Sequence, residues 1–381
     1  MSTILHSSQF VKQGIPTLLL ALLALPAQAF DTPAKQAMLV DATTNTVLFT
    51  KNADKRMGPS SMSKMMTVYV VLEKIKSGEL KLEDTFHVSE KAWKKGGSKM
   101  FVPLGKRISV LELLRGISIQ SGNDACIVIA EGIAGTEEAF AEIMNVKARQ
   151  LGLEGSHFAN STGWPDPEHY MTSRDLVKLA KALIRDFPEH YHYWGEKEFT
   201  FNGITQPNRN SLLGELGVDG IKTGHTDAAG YGIVTSGEMK GRRLISVVNG
   251  LNSKKGRIDS SRALLTYGFK QFEPMQLFAG DKVVQQAKVW YGNEESVNLK
   301  VAKPLLITLP KHDKSTVKFY ANYKEPVLAP IEKGQQLGEI TLTMPNSEPI
   351  SLPLVAAESV AKRSALGRII PTFRQRVFGD K

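Results

Sequence analysis

The chain has 381 residues, 42% of them hydrophobic, enough for two domains, one of them with a substantial core. Its net charge of +10 is unevenly placed: within residues 359–381, Lys362, Arg363, Arg368, Arg374, Arg376 and Lys381 oppose only Asp380. The body is therefore nearer to balance, which argues against a broad nucleic-acid-binding surface, and the single cysteine, Cys126, excludes an internal disulfide.

In chain order, Lys12 precedes an apolar run over residues 15–25, and Ala27-Gln28-Ala29 follows. A short apolar run closed by an A-x-A site predicts a secretory signal peptide over residues 1–29, and the run is too short for a comfortable membrane span. Two β-rich runs, residues 37–41 and 47–49, flank a polar turn and predict a hairpin. A helix is expected to open near Ser61 and end at Ser77-Gly78. Met65, Met66, Val68, Val70, Val71 and Leu72 make it apolar almost all round, as in a buried helix. Residues 91–99 are polar, contain Gly96-Gly97 and read as a loop. Further helices are expected over residues 110–117, from Ala125, over residues 136–151, and after the start signal Thr172-Ser173-Arg174-Asp175. Cys126 sits in the apolar run 125–130 and reads as a buried structural thiol.

From Val218 the pattern becomes β, with strands expected over residues 218–224, 231–236 and 244–248. The tight turn Met239-Lys240-Gly241-Arg242 joins the last two. A helix over residues 260–272 closes this half. Beyond Glu273-Pro274 come short β-rich runs at 282–284, 287–290, 297–299, 305–308, 317–320 and 340–342. Their spacing predicts a small all-β domain, without a catalytic constellation and with a supporting or interaction role.

Three motifs carry chemistry. Ser61 and Lys64 form S-x-x-K, and on a helix positions i and i+3 are neighbours. A serine needs an adjacent base to become a nucleophile, and a lysine serves when burial or nearby positive charge lowers its pKa. The pair alone is weak, because S-x-x-K recurs at Ser315/Lys318 and at Ser359/Lys362. Ser121-Gly122-Asn123 is S-x-N, and Lys222-Thr223-Gly224 is K-T-G on an expected strand. The ordered set S-x-x-K, S-x-N, K-T-G is the combination of class A β-lactamases and penicillin-binding proteins.

With these motifs, and with Lys64-Met65-Met66-Thr67, Gln120-Ser121-Gly122-Asn123-Asp124-Ala125-Cys126, Asp219-Gly220-Ile221-Lys222-Thr223-Gly224-His225-Thr226 and Ala229-Gly230-Tyr231, the chain resembles a known family. It is similar over nearly its whole length to the exported serine D-alanyl-D-alanine carboxypeptidases of the penicillin-binding protein 5/6 type. The resemblance implies an α+β fold: a penicillin-binding/β-lactamase-like domain, an antiparallel sheet covered by helices, over residues 30–272. A β-rich domain over 273–358 and an amphipathic membrane-anchoring helix over 359–381 follow. It implies removal of the C-terminal D-alanine from peptidoglycan stem peptides through an acyl-enzyme on Ser61, inhibition by β-lactams, and neither cofactor nor metal. Lys64 would take the serine proton, and Ser121 and Lys222 would relay a proton to the leaving amine. Asn123 would orient the substrate amide or Lys64, and the backbone amides of Ser61 and His225 would form an oxyanion hole. Lys222, Thr223, Gly224, Arg209 and Arg257 would bind substrate, with Arg257 the better candidate for its carboxylate.

Class A β-lactamases carry a glutamate that activates the deacylating water, with an asparagine four positions on. Between Glu131 and Ser173 no glutamate has that spacing; Glu142 and Asn145 miss by one. This favours the peptidase over a β-lactamase, and the intact triple motif favours an enzyme over a non-catalytic peptidoglycan-binding protein. In the tail, Leu366, Ile369, Ile370, Phe373 and Val377 make a helical apolar stripe between arginines, interrupted by Pro371. That pattern suits an anionic membrane interface. The expected location is the periplasmic face of the inner membrane.

Overall fold

The computed structural model describes residues 30–278, 282–312, 317–343 and 349–364. The expected signal peptide and the apolar stripe from Leu366 to Val377 lie outside these residues. The first elements are the hairpin β1 (Gln36–Asp41) and β2 (Thr46–Lys51). A single 3-10 turn, Ser60–Ser63, runs directly into α1 (Lys64–Lys76). The small pair β3 (Thr85–His87) and β4 (Arg107–Ser109) brackets α2 (Glu90–Lys94). The region expected as loop from residue 91 thus begins with a helical turn, because the Ser89 hydroxyl accepts from the Ala92 N–H and caps it.

α3 (Val110–Arg115) opens with a reciprocal capping box between Ser109 and Glu112. The π-wound turn Gly116–Gln120 follows, and Ser121, at φ 64°, breaks the chain away before α4 (Asn123–Ala134). Next come α5 (Glu137–Gln150) and α6 (Ser173–Asp186), capped by the Thr136 and Thr172 hydroxyls. The hairpin β5 (Glu198–Phe201) and β6 (Ile204–Pro207) precedes β7 (Val218–Thr226), β8 (Gly230–Met239) and β9 (Arg242–Leu251). α7 (Lys254–Gln271) starts six residues before the expected 260, because the Ser253 hydroxyl caps it at the Gly256 N–H.

The central sheet is antiparallel in the order β2-β1-β9-β8-β7. Successive strand residues face opposite sides. Met38, Val40, Ile245 and Val247 join the core shared with α1, α4 and α6. Leu39 and Leu244 instead meet α7 beside Gly268. The strand carrying Lys222, β7, is left at the sheet edge.

β10 (Phe272–Leu277) begins the second region and, with β11 (Val283–Trp290), β12 (Ser296–Val301), β13 (Leu305–Pro310), β14 (Lys318–Tyr323), β15 (Val327–Leu328), β16 (Gln336–Thr343) and β17 (Ile350–Ala356), makes it all-β. β10 pairs with β13, and a six-stranded sheet runs β14-β16-β17-β12-β11-β15. The runs read separately at 282–284 and 287–290 are one strand, β11. Val360 and Lys362 bridge Ile331 and Gly292. The first residues of the segment expected as a membrane helix therefore belong to the β region, held there by backbone pairing.

A buried polar weld joins the two regions. Asp41, at the end of β1, accepts from Arg242 Nε and from the Thr308 hydroxyl on β13, both at 2.6 Å. Thr308 also contacts Thr44, 2.9 Å between hydroxyl oxygens. Asp41 and Arg242 are both buried, so removing one partner strands a buried charge at a cost of about 3–5 kcal/mol.

Candidate active site

The site forms where the Ser60–Ser63 turn, the start of α4 and the edge of β7 converge. Close packing there needs glycine. A Cβ on Gly224 would come within 2.8 Å of the Pro59 carbonyl, and one on Gly163 within 2.0 Å of the Ser60 carbonyl. Ser60 and Ser121 both adopt left-handed backbone, at φ 50° and 64°, a conformation non-glycine residues rarely take and one that clusters at functional turns.

Lys64 is fully buried, and its Nζ lies 2.7 Å from Ser61 Oγ and 2.7 Å from Asn123 Oδ1. The S-x-x-K and S-x-N motifs thus meet at one amine. Burial lowers the Lys64 pKa to about 8, which gives a useful fraction of neutral base near neutral pH. Lys222 is also buried, and its pKa is held well below the ordinary lysine value, first by burial and then by the charge of Lys64. The two lysines therefore disfavour each other's charge.

A cleft of about 1180 Å³ opens over this pair. Ser61, Ser121, Asn123, Thr223, Gly224, His225, Arg209 and Arg257 all line it, while Lys64 and Lys222 lie buried beneath. Lys222 Nζ donates to the Thr223 carbonyl at 3.4 Å and makes no direct hydrogen bond to Ser121. The His225 ring stacks on Tyr231 with centroids 3.8 Å apart, so the ring is held aside and its backbone stays at the sheet edge. An edge strand offers free N–H and C=O groups to an extended peptide.

The far end of the cleft is cationic. Arg209 is exposed and donates to the Gln120 carbonyl at 3.4 Å. Arg257 is buried in the first turn of α7, its guanidinium 5.8 Å from the Tyr231 ring, and its Nε has no hydrogen-bond partner among the described residues. A buried cation with a free donor is costly until an anion arrives. Of the two arginines, Arg257 is the better prepared for a carboxylate.

No glutamate lines the cleft among the described residues. Glu142, the near-miss in sequence, is exposed on α5, and Glu137 is committed to the Ser161 N–H and hydroxyl. Cys126 is buried, and burial pushes its thiol up to about 12, leaving it unreactive. No group of three or more His, Cys, Asp or Glu that could hold a metal occurs among the described residues. Three contributors had no role assigned from sequence: Trp164, which lines the cleft from a proline-rich loop; and, although both stand in the motifs quoted above, Tyr231, which bridges His225 and Arg257, and Asp124, beneath the loop of residues 96–102.

Comparison with known proteins agrees with this geometry. Residues 24–253 match the family described as D-alanyl-D-alanine carboxypeptidase, and residues 272–362 match the C-terminal domain of penicillin-binding protein 5. The chain is 39% identical to the D-alanyl-D-alanine carboxypeptidase DacC of Escherichia coli, over 95% of this chain and 92% of that one. Penicillin-binding protein 5 from Haemophilus influenzae superposes with a TM-score of 0.73 at 38% identity, over 87% of this chain and 98% of that one. Penicillin-binding protein D2 from Listeria monocytogenes, solved with ampicillin bound, superposes with a TM-score of 0.58 at 28% identity, over 63% of this chain and 98% of that one. This chain belongs to the D-alanyl-D-alanine carboxypeptidase family.

Proposed function

We propose that this protein is a serine-type D-alanyl-D-alanine carboxypeptidase that trims the terminal D-alanine from peptidoglycan stem peptides by way of an acyl-enzyme on Ser61. The observation that carries the reading is Lys64 Nζ, buried and 2.7 Å from both Ser61 Oγ and Asn123 Oδ1 beneath the cleft edged by β7.

The stem peptide lies along the edge of β7, with its terminal carboxylate toward Arg257, Arg209, Thr223 and Lys222. That carboxylate keeps Lys222 charged, and a charged Lys222 favours neutral Lys64. Neutral Lys64 takes the Ser61 proton as Oγ attacks the penultimate carbonyl carbon. The backbone N–H groups of Ser61 and His225 receive the oxyanion. The C–N bond breaks, the proton held by Lys64 passes by way of Ser121 to the leaving D-alanine amine, and the ester on Ser61 remains with Lys64 neutral again. Water, deprotonated by Lys64, then hydrolyses that ester and restores the serine.

A β-lactam follows the same first step, but its opened ring stays attached to the acyl group and hinders the water, which makes the protein a target of these drugs. The signal-like pattern of residues 1–29 and the cationic, apolar pattern of the tail support a location at the periplasmic face of the inner membrane. There it would act in peptidoglycan maturation and cell shape. Mass spectrometry of the penicillin-treated chain tests the site assignment: one adduct on Ser61, absent from Ser61→Ala, is expected. A stable adduct on Ser61→Ala would assign the nucleophile elsewhere.

A further inference from the structure

Asp124 follows Asn123 at the start of α4 and is fully buried, yet it makes no ion pair among the described residues. Its carboxylate is satisfied by backbone alone. Oδ1 accepts from the N–H groups of Met100 at 2.9 Å and Ala125 at 3.0 Å. Oδ2 accepts from those of Phe101 at 2.9 Å and Val102 at 3.1 Å. Phe101, at φ 67°, lets three successive N–H groups turn onto one carboxylate.

The same loop holds Asn123. Asn123 N donates to the Ser98 carbonyl at 2.7 Å, and Nδ2 donates to the Gly96 carbonyl at 2.8 Å. The Gly96 carbonyl demands a donor, so the amide can face it only with its nitrogen. Oδ1 is thereby turned toward Lys64, at 2.7 Å. Gly97 packs directly on this amide: a Cβ there would meet Asn123 Nδ2 at 2.7 Å.

We propose that Asp124 is a positioning residue for Lys64, holding the loop of residues 96–102 so that its carbonyls orient Asn123 and Asn123 presents its amide oxygen to the base. The proposal rests on the reading above of Ser61 as nucleophile and Lys64 as base. A neutral side chain could cap the helix start, but only a carboxylate offers two oxygens to four N–H groups. Asp124 also adds a buried negative charge near Lys64.

The charged and titratable groups facing Lys64 are Asp124 and Cys126 from α4, Glu137 from α5, Lys95 from the loop preceding residue 96, His169 from the loop preceding α6, and Lys222 from β7. Asp124 favours the charged form of Lys64, as does the Asn123 oxygen. Losing either moves the midpoint of the base to lower pH.

The test is the rate of penicillin acylation against pH for the full chain, with thermal melting as a control on folding. For Asp124→Asn the expected result is a folded protein whose plateau rate falls about 10²-fold, as for an ångström-scale misplacement of a catalytic group, and whose midpoint moves to lower pH. Gly97→Ala approaches from the exposed loop and remains informative if Asp124→Asn does not fold. It should displace the Asn123 amide and move the midpoint the same way. A wild-type midpoint in Gly97→Ala, or in folded Asp124→Asn, would overturn the proposal even if rates fell, because a purely structural role lowers rate without moving the titration of Lys64. Absence of acylation in the wild-type chain would instead overturn the reading of Ser61 and Lys64.

Discussion

Acylation by this protein should titrate with Lys64. Burial places its pKa at about 8 rather than 10.5. Protonated Lys64 cannot accept the Ser61 proton, so the competent fraction is about one-eleventh at pH 7, half at pH 8 and ten-elevenths at pH 9. The second-order acylation constant, which reports the free protein, should therefore rise about tenfold between pH 7 and pH 9, levelling above that midpoint. Stopped-flow acylation by a chromogenic penicillin isolates this step from deacylation. Stability carries the same sign. The fold prefers the neutral amine, so the contribution of this group is complete above pH 10.5 and is lost as pH falls through 8. Melting temperatures of the wild type relative to Lys64→Met should decline over that window. An acylation constant that is flat from pH 6 to pH 9, or that falls with rising pH, would refute Lys64 as the base.

Three further outcomes are expected. Arg257→Ala should lose about 10–100-fold in kcat/KM on peptides with a free C-terminal carboxylate, equivalent to ~1.5–3 kcal/mol, and much less on amidated analogues; equal losses would remove Arg257 from carboxylate binding. Truncation after Ser364 retains the Val360 and Lys362 bridges, so the mature protein should stay folded and active but leave the membrane fraction; continued pelleting would refute the anchor. A chromogenic β-lactam should give a burst of one equivalent and then slow turnover, since no described glutamate lines the cleft; fast turnover without an accumulated adduct would identify a β-lactamase.

The spacing of Ser61 and Lys64, the strand carrying Lys222 and the capped helices were legible because each is local: i and i+3 neighbours, period-two alternation, a hydroxyl three residues before its N–H. The start of α7 was not legible, because Lys254-Lys255-Gly256-Arg257 has no apolar periodicity and only the Ser253 cap marks it, so the burial of Arg257 in a first helical turn was hidden too. β3, β4, β5, β6, β10, β15 and β17 were also missed, β15 because it is only two residues long and β10 because Pro274 sits within it. Trp164 and Tyr231 enter the cleft from separate loop and strand positions, and the clamp on Asp124 needs a left-handed Phe101 that no side-chain pattern announces.

The most direct test of the central claim is product analysis with a pentapeptide ending in D-Ala-D-Ala. The mature chain should release one D-alanine per peptide and leave the tetrapeptide intact, and Ser61→Ala should release none. Cleavage at another bond, or undiminished release by Ser61→Ala, would contradict a carboxypeptidase that works through Ser61.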